Sequence, residues 1–297
     1  MEALAYPHVS LLRLSELEAA DPELVATRST RSLIEYYFTI TPCLLWHLLT
    51  RQEDIGMVTY LDADMMFFSS PEPLFAEAGD ASVIITPHRF SRRLEELRKW
   101  GAYNVSWLTF RNIPEGLQCL SWYRKACLEW CYDVLEEARF ADQKYLDAFP
   151  TKFKNVHIMA HLGGGCAPWN IEDYAIREQD GAVVVNGVTL IFYHAHRFRH
   201  IRGPFYASGL AEYTDKACPP AKKYILTVYV EEYNRAVLIA RKFVSGRCFT
   251  DIRFHKRQTA TFLRDCKKII KEWQQGSLLI FYKASRPRWR LLPDTVE

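Results

Sequence analysis

The sequence predicts an α/β protein: a mostly parallel, mixed sheet flanked by helices, followed by a mainly helical C-terminal extension. Three observations lead there. In residues 1–215, short apolar runs rich in β-branched and aromatic residues alternate with segments of helical period, the pattern of strands joined by helical crossovers. One of those runs, residues 58–68, carries Asp62 and Asp64 one residue apart, at the place where ligands gather in open α/β sheets. The charge also divides: residues 1–215 carry 20 Lys/Arg and 28 Asp/Glu, whereas residues from Lys216 onward carry 18 and 7. An acidic body at 1–215 and a basic, mainly helical part at 219–297 follow from that division.

The elements read in order as follows. Residues 8–14 read as a short strand, Ser15-Glu16-Leu17-Glu18 as a helix start, and Asp21-Pro22-Glu23 as the opening of another helix. Residues 30–50 form a helical pattern with Arg31 near its start and Pro42 inside it, which implies a kink or a break. After the Asp62/Asp64 strand come a turn at Pro71-Glu72-Pro73 and a strand over 81–86 that ends at Pro87-His88-Arg89. A basic helix over 91–100 precedes a strand over 103–110, with Asn104 and Ser106 on one face. A long helix spans 114–137, Asp142-Gln143 opens the next helix, and 156–159 is a strand. Gly163-Gly164-Gly165 is a loop leading to Trp169-Asn170. Two apolar runs about Asn186-Gly187 form a hairpin ending near His194 and His196. Pro219-Pro220 marks a boundary, and 221–245 and 255–275 read as two long helices.

The bulk numbers are those of an ordinary globular protein: 297 residues, 49% hydrophobic, 25% charged and 14% aromatic. No apolar run approaches the length of a membrane-spanning helix. The start, Met1-Glu2-Ala3-Leu4, lacks a basic segment followed by a long apolar one, so no signal peptide is expected. Eight cysteines are scattered without a CxxC pair, and reduced thiols in the cytoplasm are the default expectation.

Asp62 and Asp64 share a face on a regular strand. Two like charges there are costly unless neutralised, and a hard divalent cation with oxygen ligands does this. The same triplet also fits a strand that has ended in a solvated turn. Other polar residues have equally plain explanations one by one. Asn104 fits a turn, Asp142 fits an N-cap, and His194 and His196 fit satisfied core histidines. The triple glycine fits a loop and does not match a phosphate-cradling Walker pattern. Taken together, successive strands end in side chains suited to metal, phosphate or sugar hydroxyls.

Residues from about 30 to 199 resemble a GT-A-fold glycosyltransferase, most like the retaining, nucleotide-sugar-dependent family 8. Tyr60-Leu61-Asp62-Ala63-Asp64 is similar to that family's DxD motif, and Tyr103-Asn104-Val105-Ser106-Trp107-Leu108 to its FNSGVL-like strand. Asp142-Gln143-Lys144-Tyr145-Leu146 resembles its DQ helix start, and Ile191-Phe192-Tyr193-His194 the strand that delivers its late histidine ligand. The resemblance implies Mn²⁺ or Mg²⁺ on Asp62, Asp64 and His194, with His196 in reserve. It implies that Asn104 and Asp142 hydrogen-bond the donor sugar and that Gln143 lies near its reacting carbon, making Asp142 and Gln143 the catalytic pair. Ser106, Trp169 and Asn170 join Asn104 at the donor, and Arg31 or Arg89 meets phosphate charge. The donor is then a nucleotide diphosphate sugar, UDP-linked by default, and the acceptor a glycan or a lipid-linked glycan.

Two departures from the family stand out. Where it has Lys-Pro-Trp after the late histidine, this chain reads Ala195-His196-Arg197-Phe198-Arg199, so a cationic role there passes to Arg197 or Arg199. The family fold also opens with a βαβ segment that holds the base, and here only residues 1–14 stand in its place. The chain is then truncated, or its nucleotide pocket is incomplete. A non-catalytic GT-A domain acting as a binding or scaffold module is therefore the alternative reading. A metal-dependent nucleotidyltransferase or hydrolase would also use Asp62 and Asp64 but leaves Asn104 and Asp142-Gln143 unexplained. In residues 253–273, basic residues surround Phe254, Phe262, Leu263, Ile269, Ile270 and Trp273. This fits a helix packed on the body with a solvated basic face. It also fits peripheral contact with an anionic membrane surface, at the inner face of the membrane. No nucleic-acid-binding motif is present.

Overall fold

The computed structural model describes residues 8–51, 54–243 and 258–281. Met1-Glu2-Ala3-Leu4, and Ser245, Arg253, Phe254, Lys256 and Arg257 of the expected C-terminal helices, lie outside the described residues. Helices α1 (Leu14–Ala20), α2 (Pro22–Thr27) and α3 (Leu33–Arg51) come first, then strands β1 (Met57–Leu61) and β2 (Met65–Phe67). Next are α4 (Glu72–Ala78), β3 (Val83–Pro87), β4 (Tyr103–Arg111), α5 (Pro114–Glu129), α6 (Phe149–Lys152) and β5 (Val156–Ile158). Strands β6 (Ile176–Gln179), β7 (Ala182–Val185), β8 (Val188–Thr189), β9 (Phe192–His194), β10 (Arg199–Arg202) and β11 (Phe205–Ala207) follow. The described chain closes with α7 (Pro219–Ala221), α8 (Thr227–Phe243), α9 (Gln258–Gln274) and β12 (Leu278–Ile280). The protein is mixed α/β, as the alternation predicts. Its sheets are small and mostly antiparallel, which corrects the expected mostly parallel sheet.

The chain divides into two compact units, one drawn from residues 5–65 and 71–165, the other from 66–70 and 166–297. The first is built on a sheet of order β1-β4-β3-β5. β4 pairs antiparallel with both β1 and β3, and only the β3–β5 pairing is parallel. β1, β3 and β5 thus share one direction, and β4 runs against them. The reason lies in the connection. The stretch read as a crossover helix is a run of 3₁₀ turns, Arg92–Trp100, which folds the chain back beside the strand it has just left. Hydrophobic period records which face is buried and carries no information on strand direction.

Helices α3 and α5 cover one face of this sheet. Leu45 and Leu49 of α3, Val83 and Ile85 of β3, Leu108 and Phe110 of β4, and Cys119, Leu120 and Tyr123 of α5 belong to one buried cluster. On the other face, Phe75 of α4 lies 5.5 Å from the ring of Trp107. α3 runs unbroken from Leu33 to Arg51 through a buried Pro42, because packing on its neighbours outweighs the one missing backbone hydrogen bond. α5 stops at Glu129, short of the expected 137, since Trp130 is extended (φ −148°). Residues 8–13 form no strand, and Leu14 already belongs to α1. Asp21 caps α2 by accepting a 3.0 Å hydrogen bond from the Leu24 N–H, and a 2.7 Å ion pair with Arg124 ties that cap to α5.

In the second unit, β6, β7 and β8 form an antiparallel meander. Its tight turn has φ 51° at Asn186 and 83° at Gly187, as the Asn-Gly signal predicts. β2 pairs with β9, and the Phe68 N–H donates to the Ile191 carbonyl at 2.7 Å. β10, β11 and β12 form an antiparallel sheet on which α9 packs. α8 is entered through a π-helical turn, Lys222–Leu226. Among the described residues no helix is long and apolar enough to cross a membrane. Cys43, Cys119, Cys127, Cys131, Cys166, Cys218 and Cys266 are free thiols.

Candidate functional site

One end of the first unit's sheet collects polar side chains. β1 ends at Leu61, and the Asp62 N–H that follows donates to the Ser106 carbonyl at 3.1 Å. β3 ends there too, followed by His88. Because β4 runs the other way, its beginning rather than its end delivers Asn104 and Ser106 to the same edge. Leu61 and Ala63 are exposed while Asp62 and Asp64 are half-buried, so the two carboxylates turn away from open solvent. The Asn104 carboxamide oxygen accepts the Ser106 N–H at 2.7 Å, and its nitrogen lies 3.3 Å from His88 Nε2. The His88 ring is stacked on Phe90 at 4.5 Å. Asn104, Ser106 and His88 are all buried.

Asp142 joins this group electrostatically. It is buried, and its carboxyl is pushed up to about 7, first by burial and then by the charge of Asp62; hydrogen bonds from Thr41 and from the Gln143 N–H oppose the shift. The Tyr60 hydroxyl donates to Asp62 Oδ1 at 2.9 Å. Burial and the neighbouring Asp62 hold that phenol protonated well above its ordinary range. Sequence reasoning missed Tyr60 and Thr41. Tyr60 was within reach, because it sits two residues before Asp62 and therefore on its face. Nothing in the sequence marks Thr41. Tyr123 stands deeper, fully buried, and its hydroxyl has no hydrogen-bond partner among the described residues. Tyr123→Phe is therefore expected to stabilise the fold by about 1 kcal/mol in urea unfolding, because it removes a desolvated hydroxyl that makes no bond. A destabilised variant would mean that this hydroxyl is satisfied.

The remaining predicted residues of this unit are held by the chain itself. Arg89, at φ 49°, donates to the carbonyls of Met159 at 2.7 Å, His161 at 3.3 Å, and Gly164. It clamps the loop that contains the triple glycine. A Cβ on Gly165 would lie 2.8 Å from Thr86 Cγ2, so that close approach requires glycine. The Arg31 guanidinium lies 3.8 Å from the Tyr132 ring centroid and donates to the Leu128 carbonyl at 3.3 Å. Gln143 donates through Nε2 to the Trp100 carbonyl at 3.2 Å.

The second unit holds Trp169, Asn170, His194 and His196. The His194 N–H donates to the Cys166 carbonyl at 2.9 Å, and Asn170 Oδ1 accepts the Ala167 N–H at 3.0 Å, closing the turn that carries Trp169. The His194 and His196 rings are 5.5 Å apart, and Trp169 lies 5.3 Å from the first and 5.5 Å from the second. Tyr213, which sequence reasoning did not single out, completes the cluster at 5.9 Å from His196. Gly209 carries no Cβ because one would lie 2.2 Å from the His196 carbonyl oxygen. This unit thus presents paired imidazoles framed by two large aromatic rings.

The chain matches no protein-family model. It is 33% identical over 201 residues to "Uncharacterized protein YfnD" of Bacillus subtilis (strain 168), a match that covers 67% of this chain and 64% of YfnD. The chain therefore spans less than two thirds of that relative's length. It is 30% identical over 207 residues to "Uncharacterized protein YfnF" of the same organism, covering 67% of this chain and 68% of YfnF. By that extent and identity, the chain belongs to the family of YfnF.

Proposed function

We propose that this chain is a metal-dependent glycosyltransferase of the GT-A, family-8-like, retaining kind, moving a sugar from a UDP-linked donor to a glycan or lipid-linked acceptor. The observation that carries the reading is the gathering of Asp62, His88, Asn104 and Ser106 at one edge of one sheet, with Asp142 buried in the field of Asp62. Structural polar residues are scattered over a fold. A converging set of carboxylates, amide and hydroxyl at strand termini suits a cation and sugar hydroxyls.

By the family resemblance, Asp62 and Asp64 would supply the carboxylate ligands of the cation and the late histidine, His194 or in reserve His196, its third ligand. Carboxylate oxygens with one imidazole nitrogen are a donor set that Mn²⁺ or Mg²⁺ accepts, and the half-buried Asp62 beside the buried Asp142 calls for a compensating positive charge. When bound, the cation stabilises the departing nucleoside diphosphate as a Lewis acid. The chain's own groups do the positioning. Asn104, its amide oriented by the Ser106 N–H and by His88, and Asp142 would bind donor hydroxyls, and by the resemblance Gln143, whose amide here donates to the Trp100 carbonyl, would lie near the reacting carbon. Trp169 offers an aromatic face to the donor. The free thiols accord with a cytoplasmic setting.

Titration calorimetry with MnCl₂ and a panel of nucleotide sugars tests the reading. The parent is expected to bind a UDP-sugar only with Mn²⁺. Asp64→Asn is expected to weaken that binding by more than about 100-fold while the circular dichroism stays unchanged. Unchanged binding by the variant removes the metal assignment. Failure of the parent to bind any UDP- or GDP-linked compound removes the enzyme reading and leaves the non-catalytic one.

A further inference from the structure

Asp62 follows the last residue of β1 and is fixed there twice. Its N–H donates to the Ser106 carbonyl at 3.1 Å, and its Oδ1 accepts the Tyr60 hydroxyl at 2.9 Å. The second bond sets where the carboxylate points. Tyr60 is well placed to set it. Its ring packs against the buried cluster of the first unit, and its backbone lies opposite Leu108 of β4. A phenol has two side-chain torsions, so a ring wedged in a packed core carries its hydroxyl to one position. The Thr41 hydroxyl, on α3, interacts with the same phenol and with the Asp142 carboxyl. Burial and the charge of Asp62 keep the phenol protonated, so it stays a donor. A carboxylate offers about four lone-pair positions, and one bond to a phenol leaves room for a cation.

The plainer account is that a half-buried tyrosine takes the nearest carboxylate merely to satisfy its hydroxyl. Tyr123 argues against it. That tyrosine belongs to the same cluster, is fully buried, and its hydroxyl makes no hydrogen bond among the described residues. This core therefore does not require every phenol to be satisfied. The Tyr60 bond is also made to a carboxylate that has left its strand, where the backbone alone fixes the side chain least.

We propose that Tyr60 is a positioning residue for the cation: its phenol holds the Asp62 carboxylate in the orientation that a divalent ion requires, as outer hydrogen bonds do for metal ligands in general. The inference rests on the donor-site reading above and adds to it a residue that acts only through Asp62.

The test is Mn²⁺ binding by titration calorimetry to the full chain, beside the visible spectrum of the Co²⁺-loaded chain, which reports ligand geometry. Tyr60→Phe keeps the ring and its packing and removes only the hydroxyl. It is expected to weaken Mn²⁺ binding by about 10–100-fold and to shift the Co²⁺ bands, with circular dichroism unchanged. Tyr123→Phe removes a phenol of the same core that bonds to neither aspartate, and it is expected to change neither readout. Mn²⁺ affinity and Co²⁺ bands in Tyr60→Phe equal to those of the parent overturn the proposal and leave the metal site standing. A loss in Tyr123→Phe as large as in Tyr60→Phe also overturns it, since the effect is then a general one of the core. A parent that binds no Mn²⁺ removes the metal reading itself, and this inference with it.

Discussion

At about pH 8 the Asp142→Asn variant is expected to be more stable than the parent by about 4 kcal/mol, and below about pH 4 the two are expected to match. The Asp142 carboxyl stands near 7 in the folded chain against an ordinary 3.8, first because it is buried and then because Asp62 is charged beside it. Between those two values the folded chain keeps a proton that the unfolded chain has lost. Stability therefore falls as pH rises through that window and levels off above it, whereas below it both states are protonated and nothing is lost. Asparagine keeps the shape and the oxygen that accepts from Thr41 and from the Gln143 N–H, and it has no proton to give up. Urea unfolding at stepped pH measures the difference. A parent whose stability is level from about pH 4 to about pH 8 would show that the carboxyl is not strained. The same replacement removes a proposed donor contact, so stability and activity are expected to move in opposite directions, as they do where a site stores strain.

Arg124→Ala is expected to cost about 3–5 kcal/mol, among the largest single losses available in the first unit. Arg124 and Asp21 are 2.7 Å apart with side chains only 12% and 8% exposed. Asp21 also caps α2. Removing the guanidinium leaves a buried carboxylate unpaired and loosens the joint between α2 and α5. The partner Glu23 is 71% exposed and finds water instead, so little of the loss comes from that pair. Adding Asp21→Asn to the Arg124→Ala variant is expected to recover part of the stability, because asparagine still caps the helix and carries no charge. Urea unfolding of the two variants checks this. If the double variant is no more stable than the single one, the unpaired charge is not the source of the cost.

Much of the local structure was legible from the residues. The Asn186-Gly187 hairpin, the α2 start at Asp21-Pro22 and the strands read over 81–86 and 103–110 lie close to where turn chemistry and side-chain period put them, whereas the single strand read over 58–68 is broken by a turn at Ala63-Asp64 into β1 and β2, so the two aspartates leave the strand. What failed did so for local competition or for want of a local signal. Pro42 implied a kink or a break, and the helix runs unbroken through it because packing overrides the break. The segment 92–100 has helical composition but a 3₁₀ backbone. The three-residue strands β11 and β12 are too short to show a period. At the candidate site, Asp62, Asn104 and Asp142 were found as strand-end or cap residues. Thr41 was not, because a threonine inside a helix has many ordinary reasons to be there.

The sequence by itself determined which residues face inward and where the carboxylates interrupt an apolar strand, since both follow from alternation over a few neighbours. Only the tertiary structure decided that β4 runs backward, so that Asn104 arrives at the Asp62 edge from the start of its strand. Tertiary structure likewise set Asp142 in the field of Asp62, paired Arg124 with Asp21, and left Leu263, Ile270 and Trp273 of α9 facing solvent. These are contacts, or absences of cover, between residues far apart in the chain. A repeat of two or of 3.6 residues is the same whichever way a strand runs and whatever packs on a helix. Direction, long-range charge pairing and the choice of covered face are therefore fixed by packing and by the cost of buried charge.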